Sequence, residues 1–264
     1  MKIALVQNDP VWGHVTENID QIFGLMSKEK ASLYILPEMC YTGYQMRSKD
    51  ELEQLADSVE SENIQRFFRW SKENDAAVIL GFPERAADGR IYNSSIFIMP
   101  DGAFNIYRKS HLFYKEKLFF EPGNTGFRVI EWRGLKIGQA ICFDWYFSES
   151  FKTLALMGAD LIAHSCNLVM LHCQRVDFAR AIENRVFIAT VNRIGDEERD
   201  GEKLHYTGQS VCVDPLGNYL VDAPKTETGC FAAEIDPALS RDKNLNKYNN
   251  LFQDRREIFY KNIH

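Results

Sequence analysis

The chain has 264 residues, of which 45% are hydrophobic and 26% charged, proportions typical of a globular protein with a sizeable core. Its 31 basic and 37 acidic side chains leave a formal net charge of −6, spread along the chain without the basic stripe expected of a nucleic-acid-binding protein. No apolar run approaches the ~18 residues that a membrane-spanning helix needs, so we expect neither nucleic acid nor a membrane as a partner.

The first residues, MKIALVQNDPVWG, are too soon interrupted by polar side chains to resemble a signal peptide. Six cysteines occupy positions 40, 142, 166, 173, 212 and 230, and no two of them form a CxxC pair. In a chain of this length, such spacing indicates reduced thiols rather than a disulfide framework. We therefore expect a cytoplasmic protein.

Apolar strand-like segments recur along the chain, and predicted helices separate several of them. In chain order the strand candidates are KIALVQ, SLYILPE, AAVILGF, YNSSIFIM, FRVIEW, LKIGQAICF, DLIAHSC, VFIATVN, QSVCVD and CFAAEID. Apolar periodicity predicts helices over 16–28, 61–73, 148–157 and 174–185.

Short turn sequences join other neighbouring strands, namely Pro100-Asp101-Gly102, Arg133-Gly134 and the segment 214–217. Hairpins mixed with helical crossovers favour two sheets that pack face to face, with helices on their outer faces. No linker or repeat divides the chain, so we expect a single domain over 1–264. Residues 237–264 are polar and loosely helical, and we expect them to form a surface or subunit-contact tail.

Three polar residues stand at the ends of apolar strands. Glu38 closes SLYILPE, Lys109 closes the hairpin strand AFNIYRK, and Cys142 closes LKIGQAIC. Strand ends on one edge of a sheet converge, and ligand sites commonly form there. A nearby ammonium lowers the pKa of a thiol, the thiolate is a nucleophile, and a carboxylate can carry protons. The pattern therefore predicts a nucleophilic site.

Each of these residues also has a purely structural interpretation. A buried cysteine usually packs as a small hydrophobe, a glutamate at this point can cap a turn, and a lysine beside Arg108 can be a solvated charge. The three together favour catalysis, because their chemistries are complementary.

Three ordered blocks carry a resemblance to a known family: LPEMCYTGY, then YRKSHLF with KEKLFFEPG, then ICFDWYFSE. They resemble the glutamate, lysine and cysteine blocks of the nitrilase, or carbon–nitrogen hydrolase, superfamily. The resemblance extends from KIALVQ to about Asp236. The aromatic CFDWYF and the short lysine block look most like those of small archaeal-type nitrilases, and they are also similar to those of N-carbamoylputrescine amidases.

The resemblance implies an α/β fold of the four-layer α-β-β-α sandwich type. It also implies an enzyme without cofactor or metal, usually a homodimer or a larger homo-oligomer, whose catalytic triad is Glu38, Lys109 and Cys142. The second glutamate of the family falls on Glu116. Glu121 is the competing candidate, because two acids fit the region and the loop is shorter than in many relatives.

Residues expected to face a substrate follow the cysteine and the strand DLIAHSC. The backbone N–H of Phe143 would stabilise an oxyanion, the ring of Trp145 could contact an alkylammonium, and Asn167 would face the pocket as in the family's matching segment. An aromatic wall with one acid, Asp144, favours neutral aliphatic or cationic substrates over carboxylates. Arg175 is the exception, since its guanidinium could reach towards Asn167 and hold a carboxylate.

A second cluster, AHSCNLVMLHCQR, contains residue types that bind zinc: His164, Cys166, His172 and Cys173. Their spacing lacks the CxxC or HxxxH repetition that brings ligands onto one centre, so we expect no metal. Redox sensing through Cys142 is disfavoured as well, because no resolving cysteine is evident nearby in the sequence.

These observations predict a hydrolase that cleaves a small aliphatic nitrile or amide through a Cys142 thioester and releases ammonia. Glu38 would remove the thiol proton, and Glu116 would hold Lys109 and the substrate nitrogen in position. An N-carbamoyl amine amidohydrolase is the alternative. A zinc hydrolase and a non-catalytic interaction protein on the same fold are the disfavoured classes. The expected partners are a small-molecule substrate and a second copy of the chain, which the apolar side chains of the tail would contact.

Overall fold

Fourteen strands form two six-stranded sheets and a two-stranded ribbon in the computed structural model, which describes residues 1–260. The strands are β1 (Lys2–Gln7), β2 (Leu33–Ile35), β3 (Ala77–Arg85), β4 (Ile91–Ile98), β5 (Phe104–Arg108), β6 (Val129–Trp132), β7 (Leu135–Ile141), β8 (Leu161–Cys166), β9 (Phe187–Asn192), β10 (Asp196–Arg199), β11 (Glu202–His205), β12 (Val211–Val213), β13 (Tyr219–Asp222) and β14 (Gly229–Glu234). The helices are α1 (Val15–Met26), α2 (Lys49–Leu55), α3 (Glu62–Asn74), α4 (Glu116–Phe119), α5 (Ser148–Leu156), α6 (Cys173–Asn184) and α7 (Pro237–Arg241). Two 3₁₀ turns cover Cys142–Tyr146 and Glu257–Phe259.

The two large sheets share one plan. The first has the strand order β14-β1-β2-β3-β4-β5, and the second has the order β13-β12-β9-β8-β7-β6. In each sheet three central strands run parallel, β1 to β3 and β7 to β9, and antiparallel strands flank them. The predicted helices occur as α1, α3, α5 and α6, with ends shifted by one or two residues.

Alternation along β1 shows how the layers form. Ile3 and Leu5 point into the core between the two sheets, whereas Ala4 and Val6 point into the layer beneath α1 and α3. Because both faces of the strand are buried, the strand reads as an almost continuous apolar run. The second sheet is covered in the same way on its outer face by α5 and α6. The predicted α-β-β-α sandwich is therefore confirmed.

The C-terminal tail differs from its prediction. Residues 242–260 contain only a short 3₁₀ turn and an isolated bridge between Asn244 and Asn250, so the expected loose helix is wrong over this range. Side chains of Asp242, Asn246 and Asn250 accept hydrogen bonds from backbone N–H groups two or three residues on. Such local bonds compete with the helical ones. Residues 261–264 of the predicted tail lie outside the described range.

Membrane insertion has no candidate element in this range. Among the helices of residues 1–260, none combines the length and the hydropathy that a membrane span requires.

Candidate active site

The three strand-end residues meet between the facing sheets. Glu38 lies just beyond β2, Lys109 directly after β5 and Cys142 directly after β7. Lys109 Nζ donates to Glu38 Oε1 at 2.7 Å and to Glu116 Oε1 at 2.7 Å. All of these side chains are buried, and the charges of Glu38 and Lys109 both act on the Cys142 thiol. The structure thus brings the predicted triad and Glu116 together.

Two glycines let the backbone approach closely enough to build this cluster. A Cβ on Gly81 of β3 would lie 2.5 Å from Cα of Glu38, and a Cβ on Gly123 would lie 2.1 Å from the carbonyl oxygen of Arg108. Both distances are far below van der Waals contact, so any larger residue would displace Glu38 or the strand end that carries Lys109. Here the absence of a side chain on each glycine allows Glu38 and Lys109 to take these positions.

Glu38 has one bonded and one free carboxylate oxygen. Its Oε1 accepts hydrogen bonds from Asn93 Nδ2 at 2.7 Å and from Lys109 Nζ, while its Oε2 is buried without a partner among residues 1–260. Burial raises the pKa of Glu38, Lys109 opposes the rise, and the Glu116 carboxylate adds to it. A free oxygen on a carboxylate with a raised pKa suits a general base.

Lys109 is held as an ammonium. Burial alone would lower its pKa, but the carboxylates of Glu116 and Glu38 outweigh burial and place the pKa well above its usual value. Glu116 begins α4 and is fixed in turn, since its Oε1 also accepts from the Tyr44 hydroxyl and its Oε2 from the Phe113 N–H at 3.0 Å. Glu121, the competing candidate, is exposed. Of the two candidates, the structure therefore places Glu116, and not Glu121, beside Lys109.

Cys142 sits on a strained turn at the point where β7 becomes the 3₁₀ turn. Its φ is +37°, a left-handed conformation that costs a non-glycine residue roughly 1–3 kcal/mol. Asp144 holds the turn, because its Oδ2 accepts from the Ile141 N–H at 2.9 Å and from the Tyr107 hydroxyl at 2.7 Å. Its Oδ1 lies 2.7 Å from His111 Nδ1. Asp144 is thus fully engaged, and the expectation that it would face a cationic substrate is wrong.

The pKa of the Cys142 thiol also differs from expectation. A contact with the Cys166 thiol raises it most, burial and the charge of Glu38 raise it further, and Lys109 lowers it. Lys109 therefore acts in the predicted direction but is outweighed, and the net pKa lies well above its usual value. A thiol in this state is protonated at neutral pH and needs a base before it can attack.

Cys166 lies beside the nucleophile because β7 and β8 pair in parallel, with Ile141 opposite Ser165. Cys142 and Cys166 follow these two residues, and their side chains are in contact. The sequence shows no resolving cysteine close to Cys142 along the chain, and it is the pairing of β7 with β8 that brings Cys166 to it in space.

The predicted zinc-type cluster is only partly assembled. Donor atoms of His164, Cys173 and Asp177 lie within 4.8 Å of one another, whereas His172 is exposed at the start of α6. The spacing argument missed this proximity and missed Asp177 altogether. His164 Nε2, however, lies 2.9 Å from the carbonyl oxygen of Cys142, so its ring is already engaged with the nucleophile's backbone.

A narrow crevice opens onto Cys142, which is 6% exposed. The crevice encloses about 10 Å³ and is lined by apolar side chains and one amide: Phe113, Phe143, Trp145, Asn167, Leu168, Val169 and Met170. Asn167 is 3% exposed, and neither its Oδ1 nor its Nδ2 has a partner within residues 1–260. Phe143, Trp145 and Asn167 therefore line the crevice beside Cys142, and their contact with a substrate stays a prediction.

Arg175, the fourth residue expected to face a substrate, does not lie at the crevice. It is exposed on the first turn of α6, lines neither this crevice nor the second cavity described below, and makes no side-chain hydrogen bond or ion pair within the described residues. The expectation that it reaches Asn167 is wrong, because the helix directs this position outwards.

A second cavity of about 250 Å³ lies on the other side of the cluster and is lined by Tyr44 and Glu116 together with part of the β10–β11 ribbon. Its rim carries two ion pairs, Arg47 with Asp200 and Lys115 with Glu202.

Sequence reasoning missed Asn93 and Tyr44, which bond Glu38 and Glu116 directly. The available signal for Asn93 was its position in β4, where an amide interrupts an otherwise apolar or small-residue strand. Tyr44 offers no comparable signal, because aromatic residues are common after a turn.

Comparisons with known proteins agree with this geometry. A family model described as carbon–nitrogen hydrolase matches residues 2–244. The chain is similar to a nitrilase from Pyrococcus abyssi, with 39% identity over 98% of this chain and 99% of the other. It is also similar to an N-carbamoylputrescine amidase from Arabidopsis thaliana, with 30% identity over 88% and 84% of the two chains. The crystal structure of a CN-hydrolase superfamily protein from Xanthomonas campestris matches with a TM-score of 0.80 and 27% identity, over 91% of this chain and 92% of the other.

Proposed function

This chain belongs to the carbon–nitrogen hydrolase family, and from that premise we propose that it hydrolyses a small neutral aliphatic amide or nitrile through a thioester on Cys142. The observation that carries the proposal is the buried cluster of Glu38, Lys109 and Glu116 beside that thiol. Two carboxylates and one ammonium at a strained cysteine supply a base, an oxyanion partner and a nucleophile.

The first step is attack on the carbonyl carbon. Glu38 takes the Cys142 proton through its free oxygen, Oε2, and the thiolate forms a bond to the carbon while the carbonyl π electrons move onto oxygen. Because burial raises the pKa of Glu38, its carboxylate is a stronger base than an exposed glutamate would be. It can therefore serve a thiol whose own pKa is raised.

The oxyanion formed in this step must be stabilised by hydrogen-bond donors. An ammonium has three N–H bonds, and Lys109 directs two of them at Glu38 and Glu116, which leaves one for the oxyanion. The backbone N–H of Phe143 is the second donor. A single donor of this kind contributes about 2.7–4 kcal/mol of transition-state stabilisation.

Collapse of the tetrahedral intermediate expels ammonia, which takes its proton from Glu38, and leaves an acyl thioester. Glu38 then removes a proton from water, the water oxygen attacks the thioester, and the acid and the free thiol are released. Glu116 keeps Lys109 in place throughout and accepts a hydrogen bond from the substrate nitrogen. A nitrile would pass through a thioimidate and consume a second water.

The crevice as it stands has room for about one water molecule, and the character of its lining favours a small uncharged acyl group over a charged one. Its lining has no unpaired cation for a carboxylate, which would be buried without a partner. Asn167 presents one donor and one acceptor, and a primary amide can satisfy both. A nitrile has no N–H and would leave Asn167 Oδ1 unpaired, so we infer that amides are preferred over the matching nitriles.

An N-carbamoyl amine is the second candidate, favoured by the similarity to the Arabidopsis enzyme. Its carbamoyl group would meet the same donors as an amide. Its cationic end would need a free acid, and the two acids at the rim of the second cavity, Asp200 and Glu202, are already paired with Arg47 and Lys115. This pairing makes the cationic substrate the weaker proposal.

A substrate panel distinguishes the candidates. Ammonia release would be measured for propionamide, propionitrile, the ω-carboxylate succinamate and an N-carbamoyl diamine. We expect kcat/KM to be highest for propionamide and at least about tenfold lower for succinamate, the rate equivalent of ~1.4 kcal/mol. Highest activity on the carbamoyl diamine would favour the second candidate, and turnover of all four compounds by Cys142→Ala would reject the mechanism.

The covalent intermediate can be trapped as well. Rapid acid quenching of the wild-type protein during turnover of propionamide should preserve the thioester, and intact-protein mass spectrometry with peptide mapping should place the added acyl mass on Cys142. Glu38→Gln keeps the shape of the side chain but cannot take the thiol proton, so it should form this adduct far more slowly. An adduct on Cys230, the half-buried thiol of β14, would contradict the assignment.

A further inference from the structure

We propose that His164 is a positioning residue for this reaction: its Nε2–H holds the carbonyl oxygen of Cys142 and thereby aims the Phe143 N–H at the oxyanion. The inference rests on the proposed function. It assigns a task to a buried side chain that the catalytic steps do not use directly.

His164 is held on both ring nitrogens. It lies on β8, beside the strand that carries the nucleophile, and its Nε2 is 2.9 Å from the Cys142 carbonyl oxygen and 3.2 Å from Sγ of Cys166. On the other side its Nδ1 is 2.9 Å from Oγ1 of Thr190, on β9. The Phe151 ring of α5 packs edge-on against the imidazole, with centroids 5.4 Å apart. The ring has no freedom to turn.

These contacts determine the tautomer. A carbonyl oxygen can only accept a hydrogen bond, so Nε2 must carry the proton. Nδ1 is then the acceptor for the Thr190 hydroxyl, and the ring is neutral. Burial lowers the pKa of His164 to about 4, so this neutral form persists through the neutral pH range.

The peptide plane transmits the contact to the active site. In a trans peptide the C=O of one residue and the N–H of the next point in opposite directions within one plane. The Cys142–Phe143 peptide is trans, and Nε2 of His164 lies within hydrogen-bond distance of its oxygen. The Phe143 N–H therefore points away from His164, and both residues of this peptide line the crevice.

The strained backbone at Cys142 explains why the hydrogen bond from His164 is needed. With φ at +37°, the nucleophile's backbone lies in a region that a non-glycine residue leaves unless its surroundings hold it. Asp144 holds the turn after Cys142 through the Ile141 N–H, and His164 holds the peptide between Cys142 and Phe143. Without His164 the plane of that peptide can rotate, and the oxyanion donor is lost even though the thiol stays in place.

The test measures the oxyanion donor and the reactivity of the Cys142 thiol separately. His164→Leu removes the N–H, whereas His164→Gln keeps an amide N–H at a similar distance from the backbone. Reversible binding of butyraldehyde to Cys142 reports the oxyanion site, because the thiohemiacetal oxygen occupies it. Methylthiolation by methyl methanethiosulfonate forms no oxyanion and reports the thiol alone. His172→Leu, at an exposed histidine, is the matched control.

For His164→Leu we expect kcat on propionamide and butyraldehyde affinity each to fall about 10²–10³-fold, the loss typical of one oxyanion donor. KM and the methylthiolation rate should stay within about threefold of wild type. The kcat of His164→Gln should be at least tenfold higher than that of His164→Leu, and His172→Leu should match wild type.

Unchanged aldehyde affinity in a folded His164→Leu protein would overturn the inference, and so would a parallel loss of aldehyde affinity and methylthiolation. If His164→Leu does not fold, Thr190→Val decides: removing the Nδ1 partner should weaken aldehyde binding at least threefold with methylthiolation unchanged, and no weakening overturns the inference. A wild-type protein that neither hydrolyses amides nor binds the aldehyde would instead reject the proposed function.

Discussion

Lys109 donates a 2.7 Å hydrogen bond to Oε1 of Glu38 and leaves the other carboxylate oxygen, Oε2, buried and without a partner among residues 1–260. The carboxylate is thus divided into an oxygen that is held and an oxygen that can take a proton. A buried carboxylate oxygen without a partner lowers the stability of the fold. Proteins commonly keep such destabilising groups at functional sites.

The acidic side of the pH–activity profile should reflect the pKa of Glu38. Activity needs the carboxylate, whose pKa burial raises above the usual 4.5, so kcat/KM should fall as the pH drops through a value higher than 4.5. The hydrogen bond from Asn93 lowers this pKa, and Asn93→Leu should therefore move the acidic side of the profile to higher pH. Measuring kcat/KM from pH 4 to 9 tests the direction. A shift to lower pH in this variant would contradict the assignment of Glu38 as the base.

Lys109 should control the reactivity of one thiol only. It is the charge that lowers the pKa of Cys142, so Lys109→Met should slow methylthiolation of Cys142 near neutral pH by about tenfold or more. Cys230 is half-buried on another strand and serves as the internal control in the same molecule. Mass-resolved labelling time courses give both rates at once. Equal slowing at both thiols would indicate a general change in structure.

Asp177 should make stability depend on pH. Burial raises its pKa from 3.8 to about 7, so between these values the folded chain keeps a proton that the unfolded chain releases. This contribution to stability is therefore complete below about pH 3.8 and is lost as the pH rises through 7. Asparagine does not ionise, so the Asp177→Asn variant does not lose this stability as the pH rises. The free energy of unfolding of the variant, relative to that of wild type, should therefore rise by about 1–3 kcal/mol between pH 5 and pH 8.

Urea unfolding at the two pH values measures that difference. Asp50→Asn, at an exposed position in the first turn of α2, is the control and should show no such dependence. A relative stability of Asp177→Asn that stays the same from pH 5 to pH 8 would show that the folded chain does not keep a proton on Asp177.

Assembly is the fourth prediction. Several large apolar side chains of the tail are exposed in the single chain: Leu245, Tyr248, Ile258 and Phe259. Phe252, by contrast, packs on its own subunit, with Lys152 and Lys243 over its ring. We propose that the exposed group lies at a homodimer interface, because such side chains gain from being covered. Light scattering coupled to size exclusion should give twice the chain mass at micromolar concentration.

The variant Leu245→Asp with Ile258→Asp should shift that equilibrium towards the monomer without changing the melting temperature of the isolated chain by more than a few degrees. A wild-type protein that elutes and scatters as a monomer would reject the interface.

Much of this molecule is readable from local sequence. Apolar alternation and turn residues predicted most strands of the two large sheets, the four longest helices and hence the layered fold, because these signals arise between neighbours in the chain. The polar β10–β11 ribbon was not predicted. Glu38, Lys109 and Cys142 were identifiable for the same reason: each closes an apolar strand, and its surrounding block resembles that of one family. Their roles remain predictions that the experiments above address.

What the tertiary structure decided concerns contacts between distant segments. Glu116 rather than Glu121 reaches Lys109, and Arg175 points away from the crevice, because helix orientation selects among side chains that are equivalent in sequence. Parallel pairing of β7 with β8 put His164 against the Cys142 backbone, although the two are 22 residues apart. The raised pKa of Cys142 is likewise a sum over burial, a neighbouring thiol and two opposite charges. Burial and charge balance are properties of the assembled core, and no local pattern in the chain records them.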